Sequence, residues 1–178
     1  MSNIYIWRGK RSDYDFAQMT NPKWFLRHPE RAWGFYGHRL NLYRRTIPHA
    51  GFEILRKWSN ERGYFIFTSN VDGAFQKAGF SEERILECHG SIHHVQYLDG
   101  AEEAIWSANN ISVDVDEEQV LARHPLPEKN GRLLRPNILM FGDWYWLSNR
   151  TAEQEERWEN WSASVNYSNM VVIEMGAG

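Results

Sequence analysis

Cysteine is almost missing from this sequence. Its 178 residues hold one, Cys88. A lone thiol excludes a disulfide framework within the chain and predicts a reducing, cytoplasmic setting. No apolar run is long enough to suggest a membrane span, and no signal-peptide pattern is visible. A basic excess is missing too: 20 Lys and Arg stand against 23 Asp and Glu, for a formal net charge of -3. That argues against a nucleic-acid partner, because such proteins neutralise phosphates with Lys and Arg. Internal repeats and low-complexity stretches are also absent. What is present is a hydrophobic content of 42%, enough for the core of one domain, and nine Trp. So many indoles imply a core or cleft rich in large rings, several needing an acceptor for the ring N–H.

Helix and strand patterns alternate along the chain. The first twenty residues, with "WRGKRSDYDF", have no period and read as loop. "NPKWFLRHPERAWGFYGHRLNLYRR" predicts a helix. Pro22 and Pro29 suit first turns, and Trp33, Tyr36, Leu40 and Tyr43 share a face. "PHAGFEILRKWSNERG" predicts a second helix, with Phe52, Leu55 and Trp58 as its buried stripe and Gly63 as its stop. "YFIFTSN" and "ERILECHG" read as short buried parallel strands joined by a brief helical "GAFQKAG". Residues 97–132 are acid-rich and aperiodic, and are expected to form an insertion outside the sheet. "LLRPNILMF" resumes a buried strand, ended by Gly142. Thr151 opens a helix, with Gln154 at capping-box spacing. "MVVIEMGAG" reads as an apolar strand entering a glycine loop. The expected fold is α/β, in one domain over 1–178: a parallel, Rossmann-like sheet with helices on both faces, a small inserted subdomain, and sheet-edge elements lacking at one or both ends. A bare edge leaves backbone groups unpaired, so a homo-oligomer is expected.

Ligands of such sheets bind at the carboxyl ends of the strands. Asn70, Asp72, His89, Phe141, Gly142 and Gly176 all follow a predicted strand. Each also has a plainer reading. A single His is more often structural than catalytic. Asn70 and Asp72 suit an Asx-capped turn. Gly-x-Gly alone is a weak signal. "GDWYWL" reads as core or interface, and the acidic run as a solvated face. Cys88, His89, His93 and His94 make a poor metal set, because adjacent strand residues point to opposite faces; Cys88 reads better as a small buried hydrophobe.

Taken in order, "TSNVDGAFQKAG", "ILECHGSI" and "RPNILMFGD" resemble the sirtuin family, whose pattern is roughly T-Q-N-I-D-x-L-H-x-x-A-G, then E-x-H-G-S, then R-P-x-V-V-x-F-G-E. "IYIWRG" resembles the family's I-P-D-F-R-G more loosely, and "VVIEMGAG" stands where sirtuins carry a strand followed by G-T-S. The resemblance runs from about Ile4 to Gly178. It implies NAD-dependent removal of acyl groups from protein lysine, with an acyl-lysine protein or peptide as partner. By the same resemblance His89 is the general base on a ribose hydroxyl, work suited to an imidazole. Asn70 and Asp72 line the nicotinamide pocket with Ser69 beside them. Arg8 belongs to the cofactor loop and Gly176 to a phosphate loop. Phe141 and Gly142 form the edge on which the peptide adds as a strand.

The departures are specific. Ser69 replaces the family's Gln, and Phe75 stands where its His would be. The cysteines of the family's zinc module are missing: no Cys lies between His89 and Phe141, so no zinc is expected, and the segment 97–132 takes that place. The first glycine motif, G-A-G-x-S, is absent as well. Two alternatives therefore remain: a sirtuin-like NAD hydrolase releasing nicotinamide, and a non-catalytic nucleotide-binding or interaction module.

Overall fold

The computed structural model describes residues 16–176. A turn of helix, α1 (Phe16–Met19), leads to α2 (Lys23–Arg27) and α3 (Pro29–Arg45). The long helix expected over 21–45 thus breaks at His28, whose backbone sits at φ -146°, ψ 68°. The ring of Pro29 keeps the residue before it out of the helical region and is itself well placed at a first turn. The predicted stripe of α3 holds: Trp33, Tyr36, Leu40 and Tyr43 are all buried. Helix α4 (Ala50–Arg62) ends at Gly63, at φ 74°. Its expected buried stripe is only half covered. Phe52 meets the Phe75 ring at 5.0 Å, while Trp58 faces solvent.

Next come β1 (Ile66–Thr68), α5 (Ala74–Lys77) and β2 (Ile85–Glu87). Strands β1 and β2 are parallel, as expected, with Thr68 opposite Glu87. The chain then reverses into β3 (Gly90–Tyr97), continues through β4 (Ile105–Ser107), β5 (Val115–Asp116), β6 (Leu121–Ala122) and β7 (Glu128–Lys129), and returns as β8 (Arg132–Ile138) before α6 (Asn149–Ser164). The second sheet has the order β4-β3-β8-β7 and is antiparallel; β5 and β6 form a separate ribbon.

The α/β class stands, but the parallel part is confined, among the described residues, to β1–β2. Three expectations change. Segment 97–132, expected outside the sheet, supplies β4 and β7 to the antiparallel one. The "LLRPNILMF" strand pairs antiparallel with β3 instead of extending the parallel sheet. The reversal depends on Gly90, at φ 75°, where a Cβ would lie 2.2 Å from the Asn137 carbonyl oxygen. The "VVIEM" run forms no strand among the described residues, and Val171, Val172, Ile173 and Met175 are exposed. An apolar run becomes a strand only where a neighbour takes up its backbone groups.

Helix α3 is the hub of the core. One side meets Ile92, Val95, Leu134 and Ile138 of the antiparallel sheet, and Trp33 Nε1 donates to the Leu134 carbonyl at 2.9 Å. The other side carries Gly34 and Gly37, which admit Val120–Leu121 and Val113 at distances no side chain would allow. Polar bonds complete this docking. Arg44 donates to the carbonyls of Ala108 and Ile111, Asn41 Nδ2 to that of Val113, and His38 pairs with Glu117 at 2.6 Å. No helix of the described residues is long and apolar enough to cross a membrane.

Candidate functional site

The parallel register carries two chain segments off the sheet side by side. Cys88 N–H donates to the Thr68 carbonyl at 3.0 Å, so Ser69–Asn70 and Cys88–His89 leave at the same carboxyl rim. His89 is exposed there. Its Nδ1 donates to the Ser69 carbonyl at 3.3 Å. A carbonyl can only accept, so Nδ1 carries the proton in this contact, and in the neutral ring the lone pair is then on Nε2. The His89 carbonyl in turn accepts from Leu139 N–H at 3.0 Å, which draws the end of β8 to the same rim.

Hydrogen bonds hold the loop after β1. Thr68 Oγ1 accepts from Asn70 N–H at 3.1 Å. Asp72 Oδ1 accepts from Ala74 N–H at 2.9 Å and caps α5, the Asx-turn geometry its position suggested. The Asp72 carbonyl accepts from His93 Nε2 at 2.9 Å, and that of Val71 from Ile92 N–H. The Asn70–Gly73 loop is therefore tied to β3 at its middle, through Val71 and Asp72.

Past β8, a loop presents Phe141 and Gly142 to solvent, with Gly142 at φ 67°. Phe141 N–H donates to the Thr20 carbonyl at 2.9 Å. The brace is Arg135 against Asp143, both side chains 0% exposed. Arg135 Nη1 donates to Asp143 Oδ1 at 2.9 Å while Nη2 contacts Oδ2, and the carboxylate also accepts from Met140 N–H and Tyr145 N–H.

Of the residues singled out from sequence, Ser69, Asn70 and His89 meet on this rim, and Phe141–Gly142 follow the strand whose end Leu139 ties to His89. Asp72 is on the same loop, with one carboxylate oxygen turned into α5. Gly176 lies in the exposed tail instead of at a strand end, and Arg8 lies outside the described residues. Two hollows, of about 400 and 500 Å³, share His94, Ser107 and Arg150, and the second reaches Gly73 at the end of the Asn70–Gly73 loop. Burial first, and then the charges of Arg150 and His93, lower the His94 pKa to about 4. Burial likewise raises the Cys88 thiol, which suits a packed side chain and not a nucleophile.

Sequence reasoning missed Glu87 and its partners. Thr151 and Gln154 do not form a capping box: Ser148 is the N-cap position of α6, and both side chains are buried against β2. The signal that could have found them is a carboxylate inside an apolar strand, which requires a buried partner.

The chain from residue 7 to 166 matches the family model described as "Sir2 family". It is 30% identical over 152 residues to the NAD-dependent protein deacylase of Aquifex aeolicus, covering 80% of this chain and 56% of that protein. It is 28% identical over 148 residues to NAD-dependent protein deacylase 1 of Archaeoglobus fulgidus, covering 80% of this chain and 55% of that one. The chain thus spans about half the length of these curated relatives. Among solved structures, a Sir2 homologue mutant in complex with ADP ribose superposes with a TM-score of 0.58 at 22% identity, covering 84% of this chain and 59% of that one. A Sir2 bound to acetylated peptide superposes with a TM-score of 0.53 at 22% identity, covering 74% and 53%.

Proposed function

Because the chain belongs to the Sir2 family, we propose that the protein removes acyl groups from lysine side chains of proteins or peptides with consumption of NAD. The observation that carries this reading is the placement of His89: exposed on the rim with Nδ1 committed to the Ser69 carbonyl, so that Nε2 is the nitrogen open to a substrate and the base of the neutral ring.

The nicotinamide end of the cofactor fits the residues present. Its carboxamide needs an acceptor and donors. Asn70 provides both, and Asp72 keeps Oδ2 after Oδ1 has capped α5. Arg8 and Gly176 are assigned to cofactor binding on resemblance alone. Bound NAD supplies a carbon from which nicotinamide can leave, with cationic character developing there. Asp72 and the Asn70 carboxamide favour that charge electrostatically. His89 Nε2 takes the proton of a hydroxyl held above the rim. The backbone at Phe141–Gly142, where the Phe141 N–H is already taken by the Thr20 carbonyl, offers its remaining groups to the peptide main chain beside the Arg135–Asp143 brace.

Segment 97–132 replaces a zinc module in this reading. The sequence offers no thiolates there, and docking to α3 rests on the Gly34 and Gly37 contacts with the bonds of Arg44 and Asn41. That substitution is also what favours a second reading, an NAD hydrolase in which water replaces the acyl oxygen. A cytoplasmic location accords with the single free thiol.

Nicotinamide release, followed with and without an acetyl-lysine peptide, tests the proposal. Release that depends on peptide supports deacylation, release without peptide supports the hydrolase, and release in neither case refutes both. His89→Ala should lower peptide-dependent turnover by about 10²–10⁴-fold. Turnover at the unaltered rate would remove His89 from the mechanism.

A further inference from the structure

We propose that Arg150, Thr151 and Gln154 of α6 form a positioning device for His89, acting through Glu87. The role rests on the reading of His89 as the base; the geometry stands without it.

Glu87 lies two residues before His89 at the end of β2 and is 1% exposed. Its side chain and both backbone groups are held by one helix face. Arg150 Nη2 donates to Glu87 Oε2 at 2.5 Å, Gln154 Oε1 accepts from Glu87 N–H at 3.0 Å, and Thr151 Oγ1 donates to the Glu87 carbonyl at 3.4 Å. Helical geometry explains why these positions act together: 150, 151 and 154 fall on one side of the first two turns.

The backbone direction explains why Glu87 is the residue gripped. Cys88 N–H points at β1, where it meets the Thr68 carbonyl. The N–H and C=O of the preceding residue must then point the other way, to the edge of β2 that has no strand beside it among the described residues. The side chains of α6 fill that place. Left open, this edge would allow β2 to slide against β1, because a two-stranded pair has little register specificity of its own.

Sliding matters because of what lies downstream. The bond from His89 Nδ1 to the Ser69 carbonyl joins the exit of β2 to the exit of β1, and at 3.3 Å it is already near the long limit of a hydrogen bond. A displacement of β2 by a few tenths of an ångström breaks it. The proton is then no longer fixed on Nδ1, and Nε2 is no longer reliably the basic nitrogen. Arg150 is therefore a positioning residue: it touches Glu87, and through Glu87 it sets the register on which the His89 tautomer depends.

Two independent measurements test this. ¹⁵N NMR of the histidine rings reports which nitrogen of His89 is protonated, whether or not the protein turns over NAD. In the unaltered protein His89 should be the Nδ1–H tautomer. In Arg150→Met the ring should become a mixture of tautomers, and kcat for nicotinamide release should fall roughly 10- to 100-fold with KM for NAD little changed, the penalty of a small misplacement at a reacting group. Adding Glu87→Gln to Arg150→Met removes the stranded carboxylate and should recover part of kcat and of the single tautomer. If Arg150→Met does not fold, Gln154→Met removes one grip and keeps the ion pair, and it should show the same tautomer mixing to a smaller degree. A His89 ring that stays the Nδ1–H tautomer in a folded Arg150→Met or Gln154→Met protein overturns the proposal. Tautomer mixing in a protein without NAD turnover supports the device and refutes the deacylase reading instead.

Discussion

Replacing Asp143 with Asn should destabilise the protein by about 3–5 kcal/mol, although the two side chains are nearly the same size. The Asp143 and Arg135 side chains are both fully buried, and four donors converge on the carboxylate: Arg135 Nη1 and Tyr145 N–H on Oδ1, Arg135 Nη2 and Met140 N–H on Oδ2. An amide keeps one of those oxygens. Whichever way it turns, its NH₂ faces one guanidinium nitrogen and one backbone N–H, so two bonds are lost at about 1 kcal/mol each. The remainder is the uncompensated charge of Arg135, which still donates to the Ile138 carbonyl but has no anion beside it. For a chain of this length each kcal/mol lowers Tm by roughly 2–4 °C. Urea unfolding followed by Trp fluorescence measures the loss directly. Arg135→Met combined with Asp143→Leu should be less destabilised than Asp143→Asn alone, because no buried charge is left unpaired. The reasoning is refuted if Asp143→Asn loses less than about 1 kcal/mol, or if the double variant is the weaker of the two. Since the same carboxylate ties Met140 and Tyr145 around Phe141–Gly142, the variant should also raise KM for an acetyl-lysine peptide while it remains folded.

Two further outcomes follow from packing and charge. Gly34→Ala would stabilise an exposed helix by about 1 kcal/mol, but here the new Cβ would sit 2.1 Å from the Val120 carbonyl oxygen and 2.8 Å from Leu121 Cα. Overpacking of about 1–3 kcal/mol should win; a more stable variant in denaturant titration would mean that α3 does not dock the 113–122 segment this closely. The second concerns acid. Burial and the Arg150 charge depress the His94 pKa to about 4 in the folded state from 6.5. The unfolded chain therefore takes up the proton first as pH falls. The contribution of neutral His94 is present above about pH 6.5 and is lost between there and pH 4. His94→Gln should flatten the fall of the urea midpoint across that window, and an identical acid slope in both proteins would refute the assignment.

Much of the framework was legible because its signals are local. Proline at 29, the periodic ring stripe of α3 and the glycine at 63 each act within a turn or two of chain. The rim was legible for a related reason. Whatever follows adjacent parallel strands leaves on the same side, so Ser69–Asn70 and His89 had to emerge together once β1 and β2 paired. The errors came from partners distant in sequence. Thr151 and Gln154 fit a capping box by spacing, yet Glu87, more than sixty residues earlier, claims both. Trp58 has the right phase for burial, but little packs over it. The apolar run 171–175 has the composition of a strand but, among the described residues, no neighbour to pair with.

By itself the sequence determined the α/β alternation, the parallel β1–β2 pair and the identity of the residues on its rim, since those depend on periodicity, turn chemistry and short motifs. Only the tertiary structure decided which nitrogen of His89 is basic, that β3 and β8 run antiparallel, and that one face of α6 grips the strand carrying that histidine. A tautomer, a strand direction and a buried ion pair each depend on which groups from remote parts of the chain arrive within about 3 Å of one another, and no local pattern encodes that distance.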